Sequence, residues 1–204
     1  GKVSTCGSKI RRDFMPKVTA TVLEKLDAAG AIDMGTLNMA EFAQNPTGHN
    51  AHFGHCHNPW QHGYCTGGSS SGSGAGIAAR FFYGALGSDT GGSIRLPATI
   101  CGVTGIKGTQ TRVSRAGVMP LSFSADNVGP LVQTARDGRI AREAVPDYEA
   151  ALTGDLRGIS IAVPQEYFFD GADEVVVKGF NAALDAMRDR GAKITRLSCP
   201  SLRA

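Results

Sequence analysis

The 204 residues contain no uninterrupted apolar run of about 18, and charges are spread through the first thirty, so neither a membrane span nor a secretory leader is expected. Charge of one sign is equally scarce. The formal balance is +3, and the basic residues are scattered rather than gathered into runs, which leaves no electrostatic footprint for nucleic acid and points to a small-molecule partner. There is no CxxC. The cysteines Cys6, Cys56, Cys65, Cys101 and Cys199 are odd in number and follow no framework spacing, a usage that favours free thiols in a reducing, cytoplasmic setting. No histidine follows His62, so a serine beyond it cannot be completed in the order Ser, Asp, His of an α/β-hydrolase. No lysine has a serine three residues before it, which excludes the SxxK design of penicillin-binding proteins.

What is present in excess is glycine, 27 residues in all, twelve of them between Gly67 and Gly108 in the company of alanine and small hydroxyl residues. The concentration in one segment argues for close backbone approach or positive φ there, not for a flexible linker. Around it, the spacing of Val18, Val22, Leu26 and Ala29 predicts an amphipathic helix stopped by Gly30. Residues 47–66 hold all five histidines with Asn, Gly and Pro, and read as an ordered but irregular connection. Ile77 to Leu86 is apolar enough for a buried helix ended by Gly87. Ile159 to Val163 reads as a buried strand, Val176, Phe180, Leu184 and Met187 as one helix face, and Ile194 to Leu197 as a second strand. Together these last three form a βαβ unit, and the alternation of strands and helices predicts an α/β fold, a mixed β-sheet covered by α-helices, in a single domain over residues 1–204.

Two segments can carry chemistry, GGSSSGSG at 67–74 and GSDTGGSIRLP at 87–97. A glycine-rich turn lets consecutive N–H groups converge on a phosphate or on a developing oxyanion, or it is simply a turn. The phosphate reading needs GxxxxGK[ST], and the nearby Lys107 does not supply it. Gly68-Ser69-Ser70-Ser71-Gly72 matches the GxSxG elbow around Ser70, but the residues before it, Trp60 to Thr66, do not read as the apolar strand that an elbow requires.

The run GGSSSGSGAGIAA, then GSDTGGSIRLPA, CGVTGIKGT, TRVSRAG and DNVGPLVQTARD, is similar from end to end to the amidase signature, and Gly35 to Phe42 and Asn58-Pro59-Trp60 extend the likeness backward. The resemblance implies an amidase-signature fold and a histidine-free Ser–Ser–Lys serine hydrolase of carboxamides. It places the nucleophile at Ser93 and the relaying serine at Ser69, which it implies is preceded by a cis peptide bond. Converging N–H groups of Thr90, Gly91, Gly92 and Ser93 would form the oxyanion hole, with Ser70, Asp89 and Arg95 in support. Asp89 and Arg95, six residues apart, read as a loop salt bridge holding the turn rigid.

The family's lysine belongs to a Lys-Asp stretch ahead of the glycine matched by Gly1. Lys2 follows that glycine and does not match, so the chain reads as a fragment, inactive alone and without the family's second half. Ser71 stands where glycine is usual, Gly108 and Thr111 depart from the family's stretches, and the connection between Asp137 and Pro146 is short. The resemblance implies no cofactor, a small-molecule amide substrate, no membrane or nucleic-acid contact, and either a homodimer or partner amidotransferase subunits. Two readings from other classes stand beside it. One is a metal-binding module built from His49, His52, His55, Cys56, His57 and Cys65, whose spacing is not that of a recognised zinc site; the other is a non-catalytic remnant.

Overall fold

In the computed structural model, residues 1–138 and 154–203 are described, and the short connection expected between Asp137 and Pro146 falls largely outside them. The chain divides into two compact units, residues 1–149 and 150–204. The fold class is the expected α/β, with antiparallel and parallel strand pairs carried by three small sheets.

The first unit opens with α1, Thr21–Ala28. It starts later than the apolar spacing suggests: Val18 stays exposed, Val22 is the buried anchor, and Gly30, at φ +86°, ends the helix. The stretch expected to be irregular contains a short hairpin, β1 (His57–Asn58) paired antiparallel with β2 (Gln61–Cys65).

The largest correction concerns the Gly/Ser run. The helix is α2, Ser71–Ala78, formed by the run itself; of the residues expected to be helical only Ile77 and Ala78 belong to it, and Gly84, Ala85 and Leu86 lie in the strand β3, Gly84–Asp89, with Gly87 at its centre. Glycine and serine are poor intrinsic helix formers, but here tertiary contacts prevail. Residues 71–77 are all buried, and their hydroxyls bond neighbouring backbone: Ser73 Oγ donates to the Leu86 carbonyl at 2.7 Å and Ser71 Oγ to that of Asn38 at 3.2 Å. A Cβ on Gly72 would lie 2.6 Å from the Asn38 nitrogen, and one on Gly74 would lie 2.9 Å from Pro97 Cβ, so the absence of side chains is what lets this helix pack so closely.

Helix α3, Arg95–Cys101, follows and is stopped by Gly102 in the left-handed conformation. Strand β4 (Thr104–Gly105) and strand β5 (Asn127–Val132) complete a three-stranded antiparallel sheet in the order β3-β5-β4, with Asp89 opposite Asn127 as the last rung of β3. Every residue of β5 is buried. Ile77, Ile94, Ala98 and Leu131 form the core between α2, α3 and this sheet, with Phe82, Ala85 and Val103 packed against it.

The second unit is the expected βαβ: β6 (Ser160–Pro164) and β7 (Lys193–Leu197) run parallel, joined through α4 (Glu174–Asp189). Asp173 caps α4 by accepting the Val175 N–H at 2.9 Å. Burial is lighter than expected. Val163, Leu184 and Ala192 are buried, while Ile159, Val176, Phe180 and Met187 are exposed, because a two-stranded sheet and one helix have little surface to offer each other. Among the described residues no helix is long and apolar enough to cross a membrane.

Candidate active site

The backbone of residues 66–70 is enclosed by the loop at 45–48. Gly68 donates its N–H to the Pro46 carbonyl at 2.7 Å, and a Cβ on Gly68 would lie 2.5 Å from the Asn45 carbonyl oxygen. A Cβ on Gly48, at φ +81°, would lie 2.6 Å from the Gly67 carbonyl oxygen. Asn50 anchors this region: its buried amide donates to the carbonyls of Gly7 and Met39, and its carbonyl oxygen accepts the N–H groups of His52 and Phe53. Neither Gly48 nor Asn50 stood out in the sequence, where both belong to a histidine-rich stretch without periodicity.

The Gly68–Ser69 peptide bond is cis. Ser69 gives its carbonyl to the Ala40 N–H at 3.1 Å, while its hydroxyl is shut from solvent and has no hydrogen-bond partner among the described residues. The next residue connects to the second motif, since Ser70 donates its N–H to the Ser93 carbonyl at 3.3 Å. The Ser70 hydroxyl is spent on β3, accepting the Ser88 N–H at 3.2 Å and donating to the Ser88 carbonyl at 3.4 Å. The Ser70 hydroxyl is thus engaged with the backbone of β3, and the strand before it, β2, is polar and not apolar.

Ser93 is half-buried at the N-terminal approach to α3. The residues after it are held by Asp89. One oxygen of this fully buried carboxylate accepts the Ile94 N–H at 3.1 Å, the Arg95 N–H at 3.3 Å and Arg95 Nε at 3.0 Å, and the other accepts Arg95 Nη2 at 2.9 Å. Burial raises the pKa of Asp89, but the hydrogen bonds from Arg95 and from the two N–H groups outweigh it, and the carboxyl is held below its ordinary range. The ion pair across six residues is therefore present, and its carboxylate also serves the first turn of α3.

Between these anchors the loop is open. Gly91, Gly92 and Ser93 donate their backbone N–H groups to no acceptor among the described residues. Gly92 is at φ +144°, where L side chains are disfavoured, and a Cβ on Gly91 would meet nothing within 4 Å. Thr90 donates its hydroxyl to Asp126 at 2.5 Å.

Competing groups are accounted for. Lys2 pairs with Asp33 at 2.8 Å with both side chains more than half exposed, whereas Ser69 is buried. Burial, with the neighbouring thiols of Cys56 and Cys65, pushes Cys101 up to about 11, which keeps it protonated and a poor nucleophile. The histidines make separate local contacts. His52 pairs with Glu41, the His55 ring accepts the Asn50 N–H, and His57 stacks on His62. Among the described residues no group of three or more His, Cys, Asp or Glu side chains is arranged to hold a metal ion.

Comparison with known proteins agrees over the whole length. The family model described as Amidase matches residues 1–204. Among curated proteins, the A subunit of glutamyl-tRNA(Gln) amidotransferase from Roseiflexus sp. is 43% identical over 98% of this chain and 44% of its own length, so the chain spans less than half of the relatives it matches. Among solved structures, the A subunit of glutamyl-tRNA(Gln) amidotransferase from Thermotoga maritima superimposes with a TM-score of 0.92 at 34% identity, over 100% of this chain and 48% of that one. The native peptide amidase from Stenotrophomonas maltophilia does so with a TM-score of 0.85 at 29% identity, over 97% of this chain and 45% of that one.

Proposed function

This chain belongs to the amidase family, and from that premise we propose that it carries the nucleophile and oxyanion loop of an enzyme that hydrolyses a carboxamide C–N bond. Residues 1–204 are read as part of one amidase-signature domain. Ser93 Oγ attacks the substrate carbonyl carbon, and the carbonyl oxygen, as it becomes an oxyanion, is met by the N–H groups of residues 90–93. The Ser93 proton passes to Ser69 Oγ, which releases its own to a neutral, desolvated lysine outside these 204 residues. The relay then runs backward to protonate the leaving amine, the C–N bond breaks, and water hydrolyses the acyl-enzyme.

The observation that carries this reading is the buried, unpartnered Ser69 hydroxyl held next to the Ser93 turn. A buried polar atom without a partner is uncommon and calls for an explanation, and a relay that accepts from one side and donates to the other supplies one. The open N–H groups of Gly91, Gly92 and Ser93 support it independently. The names of the curated relatives, each the A subunit of an amidotransferase, favour a protein that works beside partner subunits, and the unpaired cysteines fit a reducing, cytoplasmic setting.

A fluorophosphonate probe, which reports an activated serine, is expected to label Ser93 in the encoded full-length protein and to lose that label in Ser93→Ala. Labelling that survives Ser93→Ala but disappears in Ser70→Ala would overturn the assignment in favour of the elbow.

A further inference from the structure

The loop 90–93 has almost no side-chain anchorage of its own. Two of its four residues are glycines, and Ser93 must keep its hydroxyl for chemistry. Its far end is fixed by Asp89, which grips the N–H groups of Ile94 and Arg95. Its near end leaves β3 directly after the Asp89–Asn127 rung, where the ladder stops and backbone pairing no longer directs the chain. At that point the Thr90 hydroxyl meets Asp126, the residue immediately before β5.

Asp126 is built to be a fixed point. It is 8% exposed, and its second carboxylate oxygen accepts the N–H groups of Leu121 at 2.8 Å and Ser122 at 2.9 Å, while its own N–H donates to the Ser122 carbonyl at 3.0 Å. The turn that presents it is braced in its turn: Arg115 Nη1 and Gln110 Nε2 both donate to the Phe123 carbonyl. Burial works against ionisation of Asp126, but Thr90, the two backbone N–H groups and the nearby Arg115 charge outweigh it and hold the carboxyl below its ordinary range. Hydrogen bonds to an ionised acceptor are the strong ones.

We propose that Asp126 is a positioning residue of the oxyanion loop, acting through the Thr90 hydroxyl to aim the N–H groups of residues 91–93. It touches no substrate. With Asp89 at the other end, it makes the loop a span clamped at both sides by carboxylates that come from different parts of the sequence, one six residues and the other 31 residues from Arg95, counted as 95 − 89 and 126 − 95. An oxyanion hole is effective only when its donors are oriented before the charge develops, so loss of one clamp costs rate more than binding. The proposal rests on the oxyanion reading given above.

The test uses the encoded full-length protein and two independent readouts. The first is the NMR order parameters of the backbone N–H groups of Gly91, Gly92 and Ser93, which do not depend on any activity. Asp126→Asn, which cannot accept from Thr90 and from both backbone N–H groups at once, is expected to lower them from about 0.85 to about 0.6 while the β3–β5 ladder is unchanged. The second is the rate of fluorophosphonate labelling of Ser93, expected to fall about tenfold to a hundredfold in Asp126→Asn and in Thr90→Val, with the double variant no slower than the worse single one. Thr90→Ser, which keeps the hydroxyl, is expected to recover most of the rate lost in Thr90→Val. If Asp126→Asn does not fold, the Thr90→Val and Thr90→Ser pair decides by the same two readouts. Unaltered order parameters at residues 91–93 in a folded variant overturn the positioning role whatever the labelling does. Lowered order parameters in a protein whose Ser93 takes no label sustain the clamp and remove the nucleophile reading instead.

Discussion

The two glycines before Ser93 look equivalent in the sequence, yet the structure gives them different work. Gly92 is required by the backbone: at φ +144° an alanine is disfavoured, and its methyl would sit 3.1 Å from the Leu96 side chain. Gly91 has no such requirement, since an added Cβ meets nothing within 4 Å; under the oxyanion reading proposed above, its value is to leave that face of the loop bare. Gly92→Ala is therefore expected to destabilise the fold by about 1–3 kcal/mol in denaturant melts. Gly91→Ala is expected to melt like the parent but to label Ser93 about tenfold more slowly, because its methyl faces the space that an approaching carbonyl must enter. Equal melting of the two variants would refute the first distinction, and unchanged labelling of Gly91→Ala the second. Both glycines were legible as a motif; which one answers to φ and which to access was not, because that depends on where Leu96 lies.

At the scale of elements, the informative case is α2. Apolar content alone favours a helix over residues 77–86, but the helix is the Gly/Ser run at 71–78, because the Ser73 hydroxyl satisfies the backbone of β3, that of Ser71 the backbone of Asn38, and its glycines admit close neighbours. Strand β5 was hidden for a related reason. Pro130 argues against a central strand, since it cannot donate to a ladder, yet it lies opposite Leu86 between two neighbours, with its carbonyl accepting the Ile106 N–H at 3.0 Å. If the contact between α2 and β3 is structural, Ser73→Ala should lower stability by about 1–2 kcal/mol, because it leaves the half-buried Leu86 carbonyl without its 2.7 Å donor. The folded variant should still label at Ser93. A parent-like melting curve would show that α2 does not depend on this bond.

For the molecule as a whole, the relay as proposed needs a lysine as proton acceptor, and Lys2 is already paired with Asp33. The purified 204-residue chain is accordingly expected to turn over simple carboxamides at least about a thousandfold more slowly than a longer encoded form carrying a Lys-Asp stretch ahead of Gly1. Comparable turnover by the short chain would mean that another base completes the site. The sequence by itself determined the family, the α/β class, the βαβ unit and the two serine motifs, because those follow from local pattern and from residue types at set spacings along the chain. It did not determine which serine hydroxyl is already spent on backbone, which is left buried without a partner, or that Asp126 reaches Thr90 from 36 residues away. These were decided by tertiary structure alone, because hydrogen-bond satisfaction and burial belong to groups brought together by packing and leave no periodic trace in the chain.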